Sequence, residues 1–300
     1  MVTLDRVGAM SGDQGFQALK DEQGFQFTHV GEIRRADGSL FESADVFGVL
    51  ERVRIGLDLA LGRRVTCALP VGYVADKPVW ARWRTTLLHP YRHVGQVLDD
   101  TVADAQIASI VSLMLEATSD AVALTALKAA VGYYTSANND VTTDLSVSLP
   151  VSGLQLMAYY HFVSSNAATY SRSQWRTATP KTSDEIGLLL DDLKVDRAIP
   201  AHFQNLMAAR ASMSAPKQSG DALSTIIEMR NVVTHPTRDL PAETYNPYMW
   251  FEASTLARYW LCLSVLKEIG YAGPLAKIHQ KGPRWTGQIV NPPWAPSPSP

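Results

Sequence analysis

Residues 226–236, Ile226-Ile227-Glu228-Met229-Arg230-Asn231-Val232-Val233-Thr234-His235-Pro236, constrain the fold more than any other stretch of the chain. At about 100° per residue, a helix from Asp221 lays Ala222, Leu223, Ile226, Ile227, Met229 and Val233 on one apolar arc, and Arg230 falls inside it. A guanidinium on a packed face is costly unless it meets a carboxylate, a phosphate or a cluster of carbonyls. Asn231 and His235 are four apart and so are neighbours at the edge of the arc. Pro236 disfavours helical geometry at His235, which places the imidazole at the helix C-terminus, where the dipole favours the protonated ring. The chain must fold around a helix carrying a fixed cation, an amide and a titratable ring within about one and a half turns.

The neighbouring segments decide what this helix packs against. Beyond Asp100 the periodicity predicts long helices. An alanine-rich one covers 120–138, and another covers 144–165, kinked or started afresh at Pro150. A short helix starts at Ser183, whose hydroxyl is the expected N-cap. Pro200 opens the next in its first turn, and it runs to Ser212. Residues 214–220 read as a loop, and the longest helix covers 245–269, with Gly270 as its stop.

Before Asp100 the pattern is mixed. Residues 24–30 and 31–35 read as strand, followed by an Asp37-Gly38 turn. Val46, Val49, Leu50, Val53, Leu57, Ala60 and Leu61 recur at helical spacing up to Gly62. Residues 65–74 and 78–88 read as two strands around Asp76-Lys77. The predicted architecture is mainly α: a short α+β segment over 1–97, a helical bundle over 98–285, and a Pro-rich tail over 286–300 that is expected to be extended and disordered.

Composition narrows the function classes. A formal charge of −2 gives no global pull toward nucleic acid or anionic membrane, so RNA binding needs a local basic groove; Arg82, Arg84, His89, Arg92 and His93 form one basic stretch, which a solvated face also explains. Two cysteines, Cys67 and Cys262, suggest neither a zinc site nor a disulfide framework, and a reducing cytoplasm is the expected compartment. No run approaches the roughly eighteen apolar residues of a membrane span, and no metal or cofactor is expected. Asp191 and Asp192 read as a solvated helix end. The histidines show no metal-ligand spacing, and no Walker loop or Gly-x-Ser-x-Gly elbow occurs.

The Arg230-Asn231-(three residues)-His235-Pro236 string resembles the motif of HEPN domains, α-helical bundles found in many nucleases. Other strings are similar to the bacterial HEPN group that includes the ApeA-type anti-phage proteins: Leu61-Gly62-Arg63-Arg64-Val65, Val79-Trp80-Ala81-Arg82-Trp83, Tyr133-Tyr134-Thr135-Ser136-Ala137-Asn138, Leu266 to Gly273, and Pro293-Trp294. The likeness covers roughly residues 45 to 295. Where the group often carries a glutamate in the second bundle helix, this chain has Gln155, and the sheet segment in front is short.

The resemblance implies a HEPN-type bundle acting as a metal-independent endoribonuclease of defence or toxin type, with a homodimer that brings two motifs face to face. RNA is cut without a metal when its 2′-hydroxyl attacks the adjacent phosphorus, which needs a proton carrier near pH 7 and a cation over the phosphorane. His235 suits the first role and Arg230 the second, with Asn231 orienting the phosphate or the ring. Tyr134, Asn138 and Gln155 are the further binding candidates, and the expected partners are RNA, a second copy, and an antitoxin or phage-derived trigger. The alternative is a catalytically silent HEPN module for dimerisation or for binding a nucleotide or protein; Arg230 then pairs with a buried acid and His235 caps a helix.

Overall fold

The structure is a computed structural model and describes residues 2–6, 17, 21, 27, 29–83, 87–90, 98, 103–139, 142, 144–234, 245–276 and 289–295. It is mainly helical, with a small α+β segment in front. Strands β1 (Val2–Arg6) and β2 (His29–Ile33) pair antiparallel, and helix α1 (Ser43–Leu61) follows. Gly62 ends α1 in the left-handed region at φ 63°, its amide donating to the Leu59 carbonyl, the conformation glycine adopts at least cost.

Strands β3 (Val71–Val74) and β4 (Lys77–Ala81) form a second antiparallel hairpin. Both are shorter than the 65–74 and 78–88 runs, and the turn is one residue earlier than expected, with Ala75 and Asp76 at positive φ. The part of the latter run over 84–86 lies outside the described residues, as does most of 24–28. Trp80 meets Phe47 of α1 edge to face at 5.5 Å, which anchors a hairpin that would be marginal alone.

The bundle comprises α2 (Ala103–Ala117), α3 (Ala121–Ala137), α4 (Leu145–Tyr159), α5 (Arg172–Ala178), α6 (Thr182–Asp192), α7 (Gln204–Ser212), the short α8 (Ala215–Gln218), α9 (Ala222–Thr234) and α10 (Pro247–Glu268). Leu275–Ala276 (β5) and Ile289–Val290 (β6) close a two-residue ladder. Helix α10 is buried on most of its circumference, with Trp260, Leu261 and Cys262 within 1% of full burial; a helix apolar all round belongs at the centre of a bundle. Asn246 caps it by accepting from the Tyr248 and Met249 amides, both at 3.0 Å, and Gly270 at φ 76° ends it. At Gly153 of α4 an added Cβ would meet Leu261 Cδ2 at 2.6 Å. Glycine there lets α4 and α10 pack at close range, so a larger side chain would force the helices apart.

Several local expectations change. Helix α4 runs unbroken through Pro150, which is buried in its second turn. The irregularity comes at the other end, where Tyr160–Ser164 forms a π turn and the Ser165 amide reaches the Tyr160 carbonyl at 2.8 Å. Ser183 is not the cap of α6: the helix starts one residue earlier, and Asp184 accepts from the Lys181 amide. Pro200 opens no helix. Its carbonyl accepts from Phe203 in a separate turn, and α7 begins at Gln204. The 214–220 loop contains α8. Trp294 of the tail is held, its Nε1 donating to the Tyr271 carbonyl at 2.9 Å with Lys267 over its ring; residues 296–300 lie outside the described residues.

Candidate functional site

Helix α9 starts where Asp221 accepts from the Ser224 amide at 2.8 Å. Ala222, Leu223, Ile226, Ile227 and Met229 are buried against α4, α6, α7 and α10, and Val233 is half-buried. Burying such side chains contributes about 1.5–3 kcal/mol each for the large ones, which fixes the rotation of the helix and so the direction of Arg230.

Arg230 is half-buried. Its Nη1 donates to Asn231 Oδ1 at 3.3 Å, and its Nε is buried with no hydrogen-bond partner. Among the described residues no carboxylate pairs with it, although the other cations nearby are engaged: Arg197 reaches Asp191 and Asp221 at 3.5 and 3.4 Å, Arg210 donates to the Gly220 carbonyl, and Lys217 pairs with Glu228. A guanidinium has five donors in a planar fork, so Arg230 keeps capacity for an acceptor from outside. The structure thus brings Arg230 and Asn231 together. The described part of the helix ends at Thr234, and His235 and Pro236 lie outside the described residues.

The three binding candidates face inward. Asn138, at the C-terminus of α3, donates from Nδ2 to the Gly62 carbonyl at 2.9 Å and accepts at Oδ1 from Arg258 Nη1 at 2.8 Å. Tyr134 is 1% exposed, hydrogen-bonded to Asn138 and Cys262, and burial holds its hydroxyl well above the usual phenol range. Gln155 donates from Nε2 to Glu185 Oε2 at 2.7 Å and to Thr182 Oγ1 at 3.1 Å, tying α4 to the first turn of α6. None of the three is brought to Arg230 by a hydrogen bond. Sequence reasoning missed Arg258 and Glu185. Arg258 carries the signal that drew attention to Arg230, a guanidinium on an otherwise apolar helix.

One more titratable cluster lies on the π turn. His161 Nδ1 is 3.0 Å from Glu268 Oε2 and its Nε2 is 3.4 Å from Asp192 Oδ2; the hydrogen bond to Glu268, ahead of the opposing desolvation, raises the pKa of the ring. Asp192 is therefore more than a solvated helix end, since it joins α6 to the turn. No group of three or more His, Cys, Asp or Glu suited to a metal occurs among the described residues, and none of their helices is long and apolar enough to cross a membrane.

With this geometry in place, the chain matches the YopA central domain over residues 1–94 and the YopA C-terminal domain over residues 120–291. It is similar to the SPbeta prophage-derived uncharacterized protein YopA of Bacillus subtilis (strain 168), with 21% identity over 272 residues, which is 91% of this chain and 59% of that protein. The chain thus spans 59% of the length of that relative. No solved structure matches it.

Proposed function

The chain belongs to the YopA C-terminal domain family, and we propose, from the residues of α9 rather than from that membership, that it is a HEPN-type, metal-independent endoribonuclease acting as a homodimer. One observation carries the reading: Arg230 sits on the buried face of α9 with an orphaned Nε and no carboxylate partner among the described residues. A cation held without a counterion is suited to a phosphate that arrives with the substrate. In the proposed reaction the ribose 2′-hydroxyl attacks the adjacent phosphorus and the 5′-oxygen leaves, giving a 2′,3′-cyclic phosphate. His235 carries the proton, Arg230 stabilises the phosphorane, and Asn231 orients one or the other. The prophage origin of the relative supports a role in conflict between phage and host.

A second copy would bring two Arg230 side chains to one groove. Tyr248 and Phe251, 71% and 60% exposed on the first turns of α10, offer apolar surface for that contact. The second reading, a silent module, is favoured by the internal engagement of Tyr134, Asn138 and Gln155, which leaves fewer groups to receive RNA. Labelled single-stranded RNA incubated with the protein in EDTA separates the two. Cleavage to cyclic-phosphate ends that is lost in His235→Ala supports the nuclease, and intact RNA with the folded wild type supports the silent module.

A further inference from the structure

A second candidate site lies apart from α9. Helices α1 and α3, with Pro70 and Arg82 at the two ends of the β3–β4 hairpin, line an open cleft of two adjoining lobes, about 480 and 380 Å³ in volume, and Arg54 and Lys128 line both. Glu51 takes Arg54 at 2.9 Å and Lys128 at 2.8 Å, and these partners, Arg54 first, hold its carboxyl down at about 2. Asp58, in the larger lobe, takes Arg54 and accepts from the Val65 amide at 2.7 Å. Two cations of the lining remain. Arg64 in the larger lobe and Arg82 in the smaller make no ion pair among the described residues, and Arg82 lies over the Phe47 ring at 4.1 Å.

The helical glycines give an independent reason to read the cleft as a site. Gly56, Gly153 and Gly187 each lie where an added Cβ would come within 3.0 Å of another atom. Gly48 and Gly132 have nothing within 4 Å of that position and no positive φ. A glycine in a helix interior weakens it relative to alanine, and nothing in the packing requires these two. What they share is the cleft: Gly48 lines the smaller lobe and Gly132 the larger. Both are exposed, and each leaves the rim of its lobe without a side chain.

We propose that this cleft binds a phosphorylated nucleoside, its charge balanced by Arg64 and Arg82 and its base against the half-buried Leu124 in the larger lobe. The size lies in the range of small-ligand sites, the two surplus cations match a phosphate near −2, and the half-buried Glu51 presents a carboxylate acceptor to a sugar hydroxyl or an exocyclic amine. The reading does not depend on nuclease activity at α9.

The test is a fluorescence titration of the full chain with N-methylanthraniloyl-ADP, with ADP, inorganic phosphate and a twelve-nucleotide single-stranded RNA as competitors. Saturable binding that ADP displaces and phosphate displaces only weakly is the expected result. Arg64→Ala and Arg82→Ala each weaken it by about 10-fold or more, as loss of a charge-assisted contact does. Gly132→Leu projects into open space and replaces a poor helix former, so it keeps the melting temperature while abolishing binding; Gly132→Ala, equally compatible with the helix, retains it. No saturable binding by the wild type, an unchanged Kd in Gly132→Leu, or binding of the RNA but not of the nucleotide would overturn the proposal.

Discussion

Two arginines on neighbouring helices of the bundle are held in different ways. Arg258 of α10 donates from Nε to the Ser254 carbonyl at 3.1 Å, from Nη1 to Asn138 at 2.8 Å and from Nη2 to Thr255 at 3.4 Å. Through Asn138 it is tied to Gly62 at the end of α1. Arg230 of α9 has one long bond to its own neighbour and a buried Nε with no acceptor. Both interrupt an apolar helix face, so sequence pattern makes them equivalent. Their partners separate them: the donors of Arg258 join α3, α10 and the end of α1, whereas Arg230 keeps most of its donors at a desolvation cost and gains only the long bond to Asn231. A fold tolerates such a cost where function uses it.

The largest effect should separate the two in activity. Arg230→Ala is expected to lower RNA cleavage by about 100- to 1000-fold, the scale for removing one donor to a developing oxyanion, with circular dichroism unchanged. Equal cleavage by folded wild type and variant would remove Arg230 from the chemistry. The converse effect belongs to Arg258. Arg258→Ala strands the buried Asn138 Oδ1, at about 1–3 kcal/mol for an unsatisfied group, and a protein of this size loses about 2–4 °C of Tm per kcal/mol. A thermal melt indistinguishable from wild type would mean that the Asn138 link is not structural.

A smaller effect concerns a third arrangement, in which a cation is paired but titratable. The folded-state pKa of His161 is raised above its ordinary 6.5, first by the Glu268 hydrogen bond. A raised histidine stabilises the fold fully below its unfolded pKa and loses that contribution as pH rises through the folded value. The melting temperature should therefore decline from pH 6 upward through that value more steeply in the wild type than in Glu268→Gln, where the main cause of the shift is gone. Parallel pH profiles for the two proteins would show that the pair does not couple to folding.

What the sequence could reveal follows from the range of each interaction. The ends of α1 at Gly62, α3 at Asp120 and α10 at Gly270 were legible because caps and stops act within a few residues. The face of α9 was legible because its period is local. Pro200 misled because a proline in a turn and one in a first helical turn share the same local signal; the Phe203 bond decided it. Asn138 and Gln155 could not be placed from sequence: their partners Arg258 and Glu185 lie 120 and 30 residues away, and only packing brings them together. The α1–α3 cleft has no sequence signature for the same reason.

The smallest expected effect is the sharpest test of the comparison: the stability of Arg230→Ala itself. If Arg230 were a structural cation like Arg258, its removal would leave a buried partner charge unpaired, at about 3–5 kcal/mol, out of a total for a domain of roughly 5–15 kcal/mol. No such partner is present among the described residues, and Gln155 is engaged with Glu185 and Thr182. Alanine would instead remove a buried Nε–H that has no acceptor, relieving a desolvation cost of the kind that makes unpaired polar groups destabilising, while giving up the packing of the aliphatic stem. These opposing terms leave a small net change, and the melting temperature should move by no more than a few degrees in either direction. A drop above about 10 °C, well beyond what 1 kcal/mol gives a domain of this size, would place Arg230 with Arg258 as a structural residue.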